Sequence, residues 1–495
     1  MAMGSSLTIR CPYQHGLHAL SGRFSSSRLQ PQLCYIRASK EEAESSFASS
    51  KLTEKQEQLS NVKLAPPRTS EVTGNPRSTV TPNIAAYERL FSNVNEVNLQ
   101  HEPGSLSSAI LLIAGTTVGA GILAIPAVTQ EAGFLASSFT CVVSWLYMVT
   151  TGLLIAEVNV NTMCELGSGG VSLVSMVMRT LGRGGVLAGC ISYLFIHYAL
   201  LVAYIARSSE ILTSALGVPQ WIAAAIFSAG FGGLCYFGSQ RVVGVANGVL
   251  VAGIIGSFSV LVFAAAGDLD WSLLLKANFG AVPQSIPIIA LSFVYQNVVP
   301  VVCTSLEGDL KQIRSAIVWG TSIPLIMFLI WDALILGSLT GVAHSEDPLL
   351  ALRSTNGNIG PIIEVFSLLA IATSYIGFVL GLADFLADLL KLPSGRGNQP
   401  IPYLLSVFPP LVFSLLNPDI FFKALDFAGT YGVLILFGIL PAAMAWSERY
   451  GKNCMPSPFK PIVPGGRVVL GIIIAGAGYV ITSDIISAIF MRSSH

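Results

Sequence analysis

The sequence predicts an all-α polytopic membrane protein of about eleven transmembrane helices, each needing roughly 20 apolar residues to cross a bilayer. Three observations carry that reading. Of 495 residues, 52% are hydrophobic and 11% are charged, whereas an ordinary soluble domain is about 25% charged. Mean hydropathy is +0.67. Apolar runs recur along the chain near 106–130, 135–157, 185–207, 219–238, 242–266, 284–303, 315–340, 361–387, 401–416, 425–446 and 467–490. The ninth is short. The connections 159–184, 267–283, 341–360 and 447–466 have room for interfacial helices.

Ahead of the first run lie two polar stretches. Residues 1–38 are rich in Ser and Arg, and the first acid is Glu41. They lack the apolar core of a secretory signal. Residues 34–39, Cys-Tyr-Ile-Arg-Ala-Ser, resemble the processing site of chloroplast precursors, with cleavage expected near Ala38. A plastid transit peptide over 1–38 is expected; a mitochondrial presequence and an unprocessed tail are the alternatives. Residues 39–104 carry mixed charge and Pro66, Pro67, Pro76 and Pro82. That composition predicts a mobile tail, with a short amphipathic helix near 85–97. Residues 105–490 form the membrane domain.

The first apolar run holds the stretch that organises the rest, residues 113–126: Ile-Ala-Gly-Thr-Thr-Val-Gly-Ala-Gly-Ile-Leu-Ala-Ile-Pro. Glycine costs about 1 kcal/mol against alanine inside a helix. Gly115, Gly119 and Gly121, with Thr116 and Thr117 between them, mark a weak point in the rod. In lipid an opened backbone must find partners for its N–H and C=O groups, so a broken helix belongs beside a polar cavity. Close helix packing is the other reason for glycines here. The sixth run supplies the second break. Residues 283–300 read Pro-Gln-Ser-Ile-Pro-Ile-Ile-Ala-Leu-Ser-Phe-Val-Tyr-Gln-Asn-Val-Val-Pro. Gln296 and Asn297 place two amides at mid-membrane, costly unless hydrogen-bonded, and Pro300 removes a backbone donor.

Runs one and six are five apart. Interrupted helices at matching positions of two halves point to a transporter built from inverted repeats. Runs 1–5 and 6–10 form the repeats, and run 11 is an addition. An odd number of helices per repeat gives the two halves opposite orientations. Loop charge sets the overall orientation. With the N-terminus inside, the inner loops hold Arg179, Arg183, Arg241, Lys311, Arg314, Lys391, Arg396, Arg449, Lys452, Lys460 and Arg467. The outer side holds only Arg207, Lys276, Arg353, Lys423 and Arg492.

Residues 115–126 resemble the first-helix signature of the aromatic amino acid permeases, the tryptophan/tyrosine permease family. Residues 292–300 are similar to that family's sixth-helix motif, an aromatic, a polar residue, then Val-Pro. The likeness covers roughly 105–490. One departure is that bacterial members commonly carry His-Gly where this chain has Gln296 and Asn297. The resemblance implies a leucine-transporter-like fold with broken helices 1 and 6. It also implies secondary transport of tyrosine, tryptophan or phenylalanine by alternating access. A facilitator or channel for another small solute is the alternative. The family is generally proton-coupled; sodium is the other coupling ion to weigh. The leader and the loop charges lead to the further expectation of a plastid inner envelope with the N-terminus stromal.

An amino acid zwitterion needs donors for its carboxylate and acceptors for its ammonium. A half-helix starting near Gly119 offers free N–H groups and about half a positive charge. The carboxylate is therefore assigned to the backbone of Val118, Gly119, Ala120 and Gly121, beside Thr116. Carbonyls near Ala114, Gly115 and Phe293 are assigned to the ammonium. Phe293, Tyr295 and Gln296 are expected to flank the side chain. In the third run, Tyr193 and His197 are four apart and share a face; interhelical hydrogen bonding is the bland reading for both. Acids within membrane spans are functional candidates by default, although a structural partner or an interfacial position explains many of them. Asp332 and Asp384 are the coupling candidates among them. Glu157, Glu364, Asp388, Asp426 and Asp484 are the other acids in or near the runs. Thr373 and Ser374 resemble the hydroxyl pair that helps hold sodium in sodium-coupled relatives.

Several classes are excluded. None of the eight cysteines pairs as Cys-x-x-Cys, so no disulfide framework and no metal site is expected. No nucleotide-binding loop or helical His-Glu-x-x-His occurs, and no catalytic constellation appears, so neither an enzyme nor a resident cofactor is expected. No basic domain for nucleic acid is visible. Arg10, Arg23, Arg28, Arg37 and Lys40 are the only charges in the first forty residues, and they balance an acidic excess elsewhere. The expected partners are the substrate, a coupling proton or sodium ion, and membrane lipid.

Overall fold

The computed structural model describes residues 105–493, apart from 167–170, 266–268, 339–359, 391–399, 418–419 and 452–459. The expected leader (1–38), the polar tail (39–104) with its helix near 85–97, and the connection near 341–360 lie outside the described residues. Those described are all-α, with no strand among them.

In chain order the helices are α1 (Leu106–Thr117), α2 (Gly121–Thr129), α3 (Phe134–Leu166), α4 (Leu173–Leu216), α5 (Gln220–Phe237), α6 (Gln240–Ala265) and the short α7 (Trp271–Leu274). Then follow α8 (Val282–Ser292), a 3₁₀ turn (Gln296–Val298), α9 (Val299–Ser305), α10 (Leu310–Ser338), α11 (Gly360–Leu389) and α12 (Pro400–Leu416). Last come α13 (Phe421–Phe427), which runs through a π-helical stretch (Ala428–Ile439) into α14 (Leu440–Tyr450), and α15 (Gly466–Ser493). Nine spans among the described residues are long and apolar enough to cross a membrane, and ten if the bent pair α1 and α2 is one span. The ninth run of the sequence, short there, is α12 with 17 residues.

Local chemistry sets the helix ends. Ser105 and Ser172 cap α1 and α4, their hydroxyls accepting from the N–H of Ser108 (3.1 Å) and Ser175 (3.2 Å). Gly217 ends α4 at φ 68°, the left-handed cap that glycine takes at low cost. The third run is longer than its apolar content implied. α4 starts at Leu173 and passes through a kink at Gly182 (φ 69°), so the expected interfacial piece is the first two turns of the same helix.

Burial separates core helices from lipid-facing ones. In the spans formed by α8–α9 and by α13–α14, 72% of the most apolar window is buried, against 17% for α6 and α15. α1, α2, α3, α8, α9 and α10 pack on one another. α4, α5, α11 and α12 form a second group, and α13–α14 lies against both α3 and α4.

Candidate functional site

The first span breaks where its glycines and threonines sit. Thr116 and Thr117 donate their hydroxyls to the carbonyls of Leu112 (2.7 Å) and Ile113 (2.8 Å), a local bond that competes with the helical ladder. Val118 then turns extended (φ −75°, ψ 95°), and α2 resumes at an angle of 53° to α1. A helix N-terminus leaves its first N–H groups without intrahelical partners. That of Ala120 donates to Ser374 Oγ of α11 at 2.9 Å. Among the described residues no acceptor takes those of Gly119 and Gly121.

The sixth span breaks over residues 293–298. Phe293 and Tyr295 leave helical geometry (φ −95°, ψ 18° and φ −140°, ψ −1°). Pro300 falls in the first turn of α9, where its missing N–H removes no helical hydrogen bond. The three side chains expected to flank a ligand turn elsewhere. Gln296 Oε1 accepts from the Tyr295 N–H at 3.0 Å, and its Nε2 donates to Met148 O and Thr151 Oγ1 of α3, both at 3.3 Å. The amide thus satisfies the opened backbone and ties it to α3. Tyr295 Oη donates to the same Met148 carbonyl at 3.0 Å, over Gly152, where any Cβ would collide with the phenol. Phe293 packs on Phe328 of α10, ring centroids 5.0 Å apart.

The two breaks meet. A Cβ on Gly121 would lie 2.8 Å from Ser292 Cα, and one on Gly119 would strike Ser374 Oγ. Both glycines therefore serve close packing as well as the break. Gly115 differs, because a Cβ there meets nothing within 4 Å. Gly115 and Asn297 are the exposed residues of the two breaks; Thr116, Val118, Val294 and Val298 are half-buried and Ala114 is buried. Of the two adjacent amides Asn297, and not Gln296, is the one left exposed at the break.

α4 and α11 contribute a file of rings. Tyr204 meets Phe378 edge-on (5.7 Å), Phe378 lies against His197 (4.9 Å), His197 stacks on Tyr193 (3.9 Å), and Tyr193 on Phe385 (4.5 Å). Tyr204 lies beside Ser374, which links the file to the first break. Thr373 donates to Ala370 O at 2.9 Å.

The acids fall into different settings. Asp332 is fully buried, with Thr129 of α2 on Oδ1 and Ser137 of α3 on Oδ2, both at 2.7 Å. Asp384 is exposed on α11. Glu157, at the end of the second run, is buried. It takes Arg449 of α14 through both oxygens at 2.8 Å, and the Ile462 N–H at 2.8 Å. Beside this pair Arg179 bridges Glu448 (2.6 Å) and Glu165. Asp484 accepts from Tyr431 at 2.6 Å. Among the described residues no group of three or more metal-ligating side chains occurs. A concavity of about 670 Å³ opens between α4, α14 and α15, lined by Leu181, Trp446, Ser447 and Ile474. It is shallow and apolar and contains none of the residues of the breaks.

Comparison with known proteins gives one consistent result. The model of the tryptophan/tyrosine permease family matches residues 102–483. A tyrosine-specific transport system 2 of Haemophilus influenzae is 31% identical over 365 residues, 70% of this chain and 88% of its own length. A tryptophan-specific transport protein of Pseudomonas aeruginosa is 28% identical over 373 residues, 70% and 87% of the two chains. A low affinity tryptophan permease of Escherichia coli is 26% identical over 393 residues, 70% and 91%.

Proposed function

The chain belongs to the tryptophan/tyrosine permease family, a family of transporters and not of enzymes, and we propose on that premise that it carries aromatic amino acids by alternating access. The observation that supports this most is the meeting of two opened helices at Gly121 and Ser292. The substrate carboxylate takes the unpartnered N–H groups of Gly119 and Gly121. The ammonium takes carbonyls freed in the breaks, at Gly115 and Phe293. The space at Gly115 and Asn297 is the pocket mouth, and the ring points along the aromatic file of α4 and α11.

The packing supports an inverted repeat of five and five helices. α1 lies on α10 as α8 and α9 lie on α3, and α6 lies on α11 as α13–α14 lies on α4. These are the pairings that a five-helix shift exchanges.

The coupling ion is proposed to be the proton. Ser374 Oγ faces the Ala120 N–H at 2.9 Å, and a donor at that position repels a cation. Asp332 suits a proton better. Thr129 Oγ1 lies 2.7 Å from both Ile125 O and Asp332, and Ser137 Oγ lies 3.0 Å from Phe134 O and 2.7 Å from Asp332. A hydroxyl has one hydrogen to give. Ionised, Asp332 takes both. Protonated, it donates to one hydroxyl, which returns its own hydrogen to the helix carbonyl. Both states fit one set of heavy-atom positions across α2, α3 and α10.

For location we propose the plastid inner envelope, with residues 1–38 as the transit peptide and the N-terminus stromal. The acid-free leader and the loop charges support this. Uptake into proteoliposomes tests the function. Tyrosine, tryptophan and phenylalanine are expected to accumulate against their gradients when a proton gradient is imposed. Equilibration without accumulation, or dependence on sodium, contradicts the proposal.

A further inference from the structure

His197 carries a hydrogen-bonding atom that the fold does not use. Its Nδ1 lies 2.8 Å from the Tyr193 carbonyl oxygen. A carbonyl only accepts, so Nδ1 holds the hydrogen, and in the neutral ring Nε2 is left as an acceptor. No described residue donates to Nε2. The ring cannot turn freely to find a partner, for it is stacked on Tyr193 at 3.9 Å and packed on Phe378 at 4.9 Å.

Nε2 lies against a stretch of α11 that carries no side chain at Gly377 and Gly381. A Cβ on Gly381 would stand 3.4 Å from Nε2 and 3.2 Å from Tyr193 Oη, and a Cβ on Gly377 would meet nothing within 4 Å. Ser374, Gly377 and Gly381 recur at helical spacing on one side of α11. Ser374 is the residue that touches the first break. The side of α11 that meets the carboxylate site therefore continues, over about 10 Å of helix axis, past the open position at Gly377 to Gly381, with the fixed acceptor beside it.

We propose that His197 Nε2 accepts the ring N–H of tryptophan or the ring O–H of tyrosine, and that this bond makes the transporter prefer those substrates to phenylalanine. The inference rests on the reading of the two breaks as an amino acid site. Phenylalanine fills the same aromatic file but leaves Nε2 unpaired. A site built around a substrate's donor rejects the analogue that lacks it far more strongly than an apolar wall rejects a missing methylene. Tyr193 acts as a positioning residue, since its carbonyl fixes which nitrogen bears the hydrogen.

The test compares uptake efficiencies for two matched pairs in proteoliposomes: tyrosine against phenylalanine, and tryptophan against its benzothiophene analogue, in which sulfur replaces the ring N–H. Wild type is expected to favour the donor-bearing member of each pair by about tenfold or more. His197→Phe keeps an aromatic ring in the stack but has no acceptor, and both ratios are expected to fall towards one, whatever happens to the overall rate. His197→Gln restores an acceptor and is expected to recover part of each ratio. Wild-type ratios near one overturn the proposal without any variant. Wild-type ratios retained in His197→Phe overturn it as well. A wild type that carries none of the four compounds overturns the permease reading and this inference together, so the two failures are told apart.

Discussion

Arg449→Met is expected to be among the most damaging single changes outside the breaks. Glu157 is 3% exposed, and the Arg449 side chain 7%. The carboxylate has three bonds at 2.8 Å, two from the guanidinium and one from the Ile462 N–H. Removing the arginine leaves a buried carboxylate with one backbone donor, a loss of about 3–5 kcal/mol. Removing the charge as well should return most of it. In Glu157→Gln/Arg449→Met the amide oxygen still accepts from Ile462 and no buried charge is left unpaired, so the remaining deficit is that of unmade hydrogen bonds to a neutral amide, each worth about 0.5–1.5 kcal/mol. The assay is a double-mutant cycle on melting of the purified protein in detergent, with Glu157→Gln as the other single. The expected order places the double variant well above Arg449→Met. A double variant as unstable as the sum of the two singles, or an Arg449→Met protein that melts with wild type, refutes the reasoning.

Three further outcomes are expected. Gly152→Ala should cost about 1–3 kcal/mol by overpacking, because the new methyl strikes the Tyr295 phenol; Tyr295→Phe in the same chain should recover part of the melting temperature. Gly115→Ala should fold and melt as wild type or slightly better, since its Cβ meets no atom and alanine favours the helix by about 1 kcal/mol, whereas Gly115→Phe should melt normally and take up no aromatic amino acid. Asp332→Asn should retain exchange of labelled for unlabelled substrate but lose accumulation driven by a proton gradient by about tenfold or more, a loss on the scale of one general acid–base group; full accumulation in that variant removes Asp332 from the coupling step.

The two breaks were legible because lipid makes irregular backbone and bare amides expensive. Glycines around two threonines, and Gln296-Asn297 before Pro300, have few uses in an unbroken span. Which side chains look into the opening was not legible. Helical phase assigns faces only while the backbone is helical, and it lapses between Phe293 and Val298. Gln296 and Asn297 are adjacent and chemically alike, yet one closes the backbone against α3 and the other is exposed. The partners of the acids were hidden for another reason. Glu157 and Arg449 are 292 residues apart, and Thr129 and Asp332 are 203 apart; only tertiary packing brings them together. The π-helical stretch Ala428–Ile439 left no trace in the hydropathy either, since it buries the same residue types as an α-helix.

In the proposed site the substrate is received where Gly115 and Asn297 lie exposed at the two breaks. Protection of a single engineered thiol tests it most directly. Cys141, Cys164, Cys235 and Cys303 are buried, and the thiol of Gly115→Cys can be followed by mass analysis of its own peptide. In proteoliposomes that transport, alkylation of Cys at this position should slow about tenfold or more in saturating tyrosine or tryptophan, while glycine leaves it unchanged, the ratio expected when bound ligand excludes the reagent from most of the protein. An unchanged alkylation rate at concentrations that saturate uptake would place the substrate elsewhere.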